Sequence, residues 1–184
     1  MKLRRWVMRG AALVLLLFLL FFPSGIFWNA ARPVFHKDII NKYAAVYKFD
    51  PLLIMALVKV ESRFRKGAES HKGALGLMQL MPLTAMEMAQ KVGKNVTPED
   101  LKNPEINIHL GIHYLYLLRN EFKTDTVAVL AAYNAGPANV RMWMQGGPLL
   151  MEQIPFQETR QYVERILETH RWLKRFQRVK NALT

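Results

Sequence analysis

Residues Pro51 to Arg63 place the tightest limit on how this chain folds. Leu52, Leu53, Ile54, Met55, Leu57, Val58 and Val60 put apolar side chains on most sides of one helix-length segment. A surface helix carries a single apolar stripe, so one that is apolar nearly all round has to be surrounded by other elements. The segment opens with Asp50-Pro51, a capping carboxylate followed by proline at the first helical position. The pattern predicts a helix buried in the middle of a domain, with Glu61 at its end.

The elements that would surround it are also helical. Asp38 to Phe49 has apolar residues at helical spacing (Ile39, Tyr43, Val46, Tyr47). Gly67 to Gly76 reads as loop, Leu77 to Met81 as a short apolar turn, and Pro82 to Gly93 as a helix opened by proline and closed by glycine. Thr97-Pro98-Glu99-Asp100 caps a short helix, and Asn103-Pro104 leads into a long one from Glu105 to about Phe122. Asp125 to Asn134 is a small-residue helix ending at Ala135-Gly136-Pro137, Val140 to Met144 a short turn, and Thr159 to Val179 the last helix. There is no strand pattern, repeat or low-complexity tract. The expected fold is mainly α, one helical domain over residues 38–180.

Ahead of it, residues 10–31 carry no charge, and Ala11 to Phe22 is wholly apolar. At about 1.5 Å per residue this segment reaches about 33 Å, enough to cross a hydrocarbon core of roughly 30 Å. Lys2, Arg4, Arg5 and Arg9 precede it without an acid. By the positive-inside rule, residues 1–9 stay in the cytoplasm and the remainder is exported. Neither Pro23-Ser24-Gly25 nor Asn29-Ala30-Ala31 is a good cleavage site, which favours an uncleaved single-pass anchor over a removed signal peptide. Residues 32–37, marked by Pro33, form a linker. The chain has no cysteine, which excludes disulfides, thiolate metal sites and an N-terminal lipid on cysteine.

The net charge of +12 resembles a nucleic-acid signal until it is located. Four cations lie in residues 1–10 and five (Arg171, Lys174, Arg175, Arg178, Lys180) in residues 171–180, neither stretch holding an acid, so the body carries +3. That argues against a nucleic-acid partner. The second cluster, interleaved with Trp172, Leu173 and Phe176, suits an anionic surface such as phospholipid head groups or an anionic wall polymer; the plainer reading is a solvated helix.

Glu61-Ser62 is followed by Ser70-His71-Lys72-Gly73-Ala74-Leu75-Gly76-Leu77-Met78-Gln79-Leu80-Met81-Pro82, a Gly-rich, amide-bearing stretch. A carboxyl among apolar neighbours, at a helix C-terminus, has its pKa raised and can hold a proton near neutral pH. Further motifs are Ala131-Ala132-Tyr133-Asn134-Ala135-Gly136 and Ile154-Pro155-Phe156-Gln157-Glu158-Thr159-Arg160-Gln161-Tyr162-Val163. These four ordered blocks resemble the family 1 lytic transglycosylases, whose catalytic domain is goose-type lysozyme-like. The resemblance covers approximately Asp38 to Phe176, and no separate glycan-binding module accompanies it.

The resemblance implies cleavage of the bond between N-acetylmuramic acid and N-acetylglucosamine in peptidoglycan, in the periplasm, without a cofactor. Glu61 would protonate the glycosidic oxygen, the substrate's N-acetyl carbonyl would stabilise C1, and Glu61 would then take the C6 hydroxyl proton as a 1,6-anhydro ring closes. Ordinary glycosidases generally use two carboxylates. The resemblance also implies that Ser70 hydrogen-bonds near the carboxyl, and that Gln79 and Met81 line sugar subsites. Tyr114, Tyr133 (near the carboxyl), Asn134 and Tyr162 belong to the cleft. Glu158 is a further candidate, with a structural role holding the last helix to the body.

His109 and His113 are four apart on a helix, but no third ligand is in view, so no metal site is expected and the pair reads as an exposed face. Two rival readings remain: a lysozyme-like hydrolase, and a non-catalytic envelope scaffold of a secretion or conjugation machine. An envelope assembly partner is compatible with the enzyme reading too.

Overall fold

The computed structural model describes residues 36–123, 125–144 and 146–183, with Trp6, Gly10 and Val14 as single positions before them. Apart from those positions, the expected anchor at 10–31 and the basic residues preceding it lie outside the described residues. Among the described residues, no helix is long and apolar enough to cross a membrane. Residues from His36 onward form one compact unit.

Seven α-helices are described in that unit: α1 (Lys37–Val46), α2 (Pro51–Ser62), α3 (Pro82–Lys91), α4 (Pro104–Glu121), α5 (Thr126–Ala135), α6 (Pro137–Trp143) and α7 (Gln157–Leu183). Short 3₁₀ turns occupy Glu99–Lys102 and Met151–Gln153. The α2 segment is the central helix, packed against α1 and most extensively against α7. Its Ile54, Ala56, Leu57 and Val58 are buried, and each large aliphatic side chain contributes about 1.5–3 kcal/mol by leaving water. Asp50 caps it by accepting the Leu52 N–H at 2.9 Å. The other Asp50 oxygen lies 2.7 Å from His170 Nε2 and 3.3 Å from Lys174 Nζ, both on α7. One side chain thus starts α2 and ties it to the last helix.

The helix α4 lies against α1, α3 and α5, and α5 against α6 and α7. Ala128, Ala131 and Ala132 of α5 are fully buried, so small side chains let this helix approach its neighbours closely. The core has two parts. A larger cluster joins α1, α2, α4, α5 and α7. A smaller one gathers Leu75, Leu80, Ala85, Met88, Ala89, Leu101 and Leu110 around α3. Tyr114 and Tyr133 pack against both.

Residues 64–81, between α2 and α3, form no regular element beyond isolated antiparallel bridges pairing Glu69 with Leu75 and Leu75 with Leu80. The anchor of this loop is Asn107 on α4, fully buried. Its amide nitrogen donates to the Leu75 and Leu101 carbonyls, both at 2.9 Å, and its oxygen accepts the Met78 N–H at 2.7 Å. A Cβ at Gly76 would lie 2.2 Å from the Asn107 amide nitrogen, and one at Gly111 would lie 2.5 Å from Met78 Sδ. Glycine at both positions is what lets the loop seat on α4.

Two local expectations differ from the structure. The turn expected at Val140 to Met144 is part of α6, which opens at Pro137; the proline both stops α5 and supplies the first helical position of the next helix. His109 and His113 are half-buried rather than exposed. His109 stacks on Tyr43 with ring centres 4.4 Å apart, and His113 lies 5.5 Å from the Tyr47 ring, because α1 lays its tyrosines along this face of α4.

Candidate active site

Glu61 occupies the last turn of α2, where the chain turns sharply. Arg63 and Phe64 both adopt left-handed backbone, with φ of 52° and 58°. Two successive non-glycine residues in that region are unusual. The Arg63 N–H closes the helix on the Lys59 carbonyl, and Phe64 is buried in the core, which holds the turn in place. The fully buried Ser62 gives its hydroxyl to the Val58 carbonyl. The Glu-Ser pair therefore divides its roles: Ser62 seals the helix end and Glu61 faces α7.

The Tyr162 hydroxyl of α7 donates to Glu61 Oε1 at 2.6 Å. Burial is the larger influence and drives the Glu61 carboxyl up; the Tyr162 hydrogen bond and the Arg165 guanidinium pull it down, leaving it at about 7. Neither of these partners is a carboxylate. Burial raises the hydroxyl pKa of Tyr133 and of Tyr162, and the negative charge of Glu61 adds to both shifts. Tyr133 gives its proton to the Met78 carbonyl at 2.8 Å. Its oxygen is then left as an acceptor near the carboxyl, opposite in hydrogen-bonding character to Tyr162. Tyr114 completes the aromatic wall, its ring centre 5.4 Å from that of Tyr133.

The loop residues take more local positions. Ser70 Oγ accepts the Ala74 N–H at 2.9 Å and closes the Ser70–Ala74 turn. Gln79 sits in left-handed backbone, φ 48°, and its amide nitrogen donates to the Ala68 and Gly76 carbonyls at 3.1 and 2.9 Å. Its amide oxygen makes no hydrogen bond among the described residues. Met81 caps α3 and leaves its side chain open to solvent at 45% exposure. Asn134 accepts from Thr159 Oγ1 at 2.8 Å, which joins α5 to α7. Glu158 is exposed in the first turn of α7 and makes no hydrogen bond or ion pair among the described residues. Its neighbour Thr159 holds the helix to the body.

Three contributors are not marked by the sequence motifs. Asn107 carries a signal, an amide at a core-facing position of a helix. Thr159 lies within the Ile154–Val163 motif without a signal of its own. Arg165, one turn beyond Tyr162, offers no local signal. No group of three or more His, Asp or Glu able to hold a metal occurs among the described residues.

Residues 38–148 match the family model described as the transglycosylase SLT domain. The chain belongs to the transglycosylase SLT family. The soluble lytic murein transglycosylase of Salmonella typhimurium is 33% identical over 159 residues, which is 82% of this chain and 25% of that protein. The endo-type membrane-bound lytic murein transglycosylase A of Klebsiella pneumoniae is 30% identical over 158 residues, 78% of each chain. Among solved structures, the 70 kDa soluble lytic transglycosylase of Escherichia coli is similar with a TM-score of 0.72 at 33% identity, over 76% of this chain and 24% of that one. An inactive glutamate-to-glutamine variant of the Pseudomonas aeruginosa lytic transglycosylase Slt gives 0.69 at 38% identity, over 73% and 23%. The chain thus spans about a quarter of the length of its large soluble relatives. The helical body has the lysozyme-like SLT fold. The segment matching the SLT family model ends at Pro148, ahead of Tyr162.

Proposed function

We propose that this chain is a peptidoglycan lytic transglycosylase that works with one carboxyl group, Glu61. The observation that carries the reading is the pairing of Glu61 with Tyr162. A carboxyl held near pKa 7 is divided between acid and base at neutral pH, and general acid–base catalysis is most effective there. Protonated Glu61 gives its proton to the glycosidic oxygen between N-acetylmuramic acid and N-acetylglucosamine. The substrate's N-acetyl oxygen supports the developing charge at C1. The Glu61 carboxylate, now stabilised by the Tyr162 hydroxyl, removes the proton from the muramoyl C6 hydroxyl. That oxygen closes onto C1, and a 1,6-anhydro end forms without consuming water. Gln79, Met81, Tyr114, Tyr133 and Asn134 hold the sugars, Ser70 shapes its loop, and Tyr162 positions the carboxyl.

Residues 10–31 hold the chain in the bacterial inner membrane as a single-pass anchor, with the catalytic domain in the periplasm. Support comes from the uncharged run and the four cations before it, and from a relative of similar size that is named membrane-bound.

The test is mass spectrometry of the products released from purified peptidoglycan by the whole chain in detergent, with Glu61→Gln alongside. Anhydro-muropeptides, lighter by one water and absent with the variant, are the expected products. Reducing ends would make the chain a lysozyme-like hydrolase. No product from the folded chain would point to a scaffold of an envelope machine, or to an enzyme that works only with its assembly partner.

A further inference from the structure

Leu173 is the last residue of α7 that packs against the core. From Lys174 to Ala182 every residue is exposed, although the helix continues to Leu183. A few helical turns that bury no apolar side chain are marginal in water without a surface to lie on. At about 100° per residue, Trp172, Phe176 and Val179 fall within about 60° of one another, about a third of a turn from the buried Tyr162, Val163 and Ile166. Their exposures are 57, 61 and 59%. The Trp172 and Phe176 rings stack 5.8 Å apart, and Lys59 Nζ lies 5.3 Å over the Trp172 ring. Around this stripe run Arg171, Arg175, Arg178 and Lys180, and no Asp or Glu follows Glu168.

We infer that residues 171–183 dock on the surface of an anionic phospholipid membrane, lying in the interface with the Trp172–Phe176–Val179 stripe in the acyl boundary and the arginines among the head groups. An aromatic and aliphatic stripe flanked by cations alone fits this surface. A soluble anionic wall polymer would satisfy the cations and leave the stripe in water, so the lipid is favoured. The inference goes beyond the proposed function and rests on it only in placing the domain beside a membrane. Its consequence is a second attachment point on the helix that carries Tyr162.

The absence of cysteine makes a clean test. Val179→Cys, labelled with a nitroxide in the whole chain, is reconstituted in phosphatidylcholine vesicles with and without phosphatidylglycerol. Accessibility to a water-soluble nickel chelate is compared with accessibility to oxygen. Asn120→Cys, on an exposed position of α4, is the control. The Val179 label should leave water for the acyl boundary when phosphatidylglycerol is present, while the Asn120 label stays in water. Changing Arg171, Arg175 and Arg178 to Gln should weaken this docking roughly fivefold per charge removed. A Val179 label equally wet in both vesicles, equally shielded in both, or shielded only by purified peptidoglycan sacculi would overturn the inference. Flotation with phosphatidylcholine vesicles reads the N-terminal anchor separately, so its loss would remove the anchor and leave the label result standing.

Discussion

Glu61 titrates at about 7 because burial outweighs the Tyr162 hydrogen bond and the Arg165 charge. An unfolded glutamate titrates near about 4.3, so between these values the native state holds the proton more tightly and stability falls as pH rises. The whole gap corresponds to roughly 3.5 kcal/mol, and partial exposure of the side chain reduces it. Glu61→Gln should therefore unfold about 1–2 kcal/mol later than the parent at about pH 8, with the difference gone by about pH 4, as read by urea denaturation at each pH. Tyr162→Phe removes a donor that favours the carboxylate, so the Glu61 pKa should rise by roughly one unit. The alkaline limb of the glycan-cleavage profile would move up in pH while the maximum rate falls; an unmoved limb would deny Tyr162 its electrostatic role. At this scale the sequence singles out Glu61 and Tyr162 separately, but not their hydrogen bond, which joins residues 101 positions apart. The left-handed backbone of Gln79 was not legible either, because a non-glycine residue there is held by its surroundings and leaves no mark in composition.

Helix α2 is fixed at both ends by side chains outside its apolar run. At its start, Asp50 caps the helix and meets His170 and Lys174. Asp50→Ala should cost about 1–2 kcal/mol in chemical denaturation, chiefly through the lost cap. Beyond its end, the loop of residues 64–81 depends on Asn107. Asn107→Ala would strand the Met78 N–H and the Leu75 and Leu101 carbonyls in a buried site and leave a void. The expected cost is about 2–4 kcal/mol, with faster proteolytic nicking in the loop. The Tyr133 hydroxyl rests on the Met78 carbonyl, so the turnover of molecules that remain folded should fall as well. The helices themselves were readable from apolar spacing and from Pro and Asp at their starts. The loop's attachment was not, since it depends on the Asn107 amide meeting the Leu75 carbonyl and the Met78 N–H, 32 and 29 residues away. The aromatic seam of Tyr43, Tyr47, His109 and His113 was hidden for a related reason: helical spacing shows which residues share a face and not what that face meets.

The molecule as a whole has a large core and a small one, and the residues assigned to the sugar belong to both sides. Glu61 and Tyr162 stand on helices of the larger cluster, Met81 caps the helix of the smaller one, and Tyr114 and Tyr133 pack against both. The smaller cluster buries little apolar surface of its own. It is joined to the rest largely through α4, where Asn107 and Gly111 receive the loop. Local opening free energies follow such differences in buried contact, so the two parts should not open together. Hydrogen exchange read by mass spectrometry should show residues 80–101 exchanging through a partial opening of lower free energy than α2, α5 and the first half of α7. A glycan bound across Tyr114 and Tyr133 would hold the closed form, so it should slow exchange in 80–101 more than in α2. Asn107→Ala should widen the gap between the two parts, because it frees Leu75 and Leu101 of the smaller cluster while the larger one loses only its hold on Met78. Uniform exchange across both parts, with and without glycan, would mean that the body unfolds as a single cooperative unit and that the seam at Tyr114 and Tyr133 does not move.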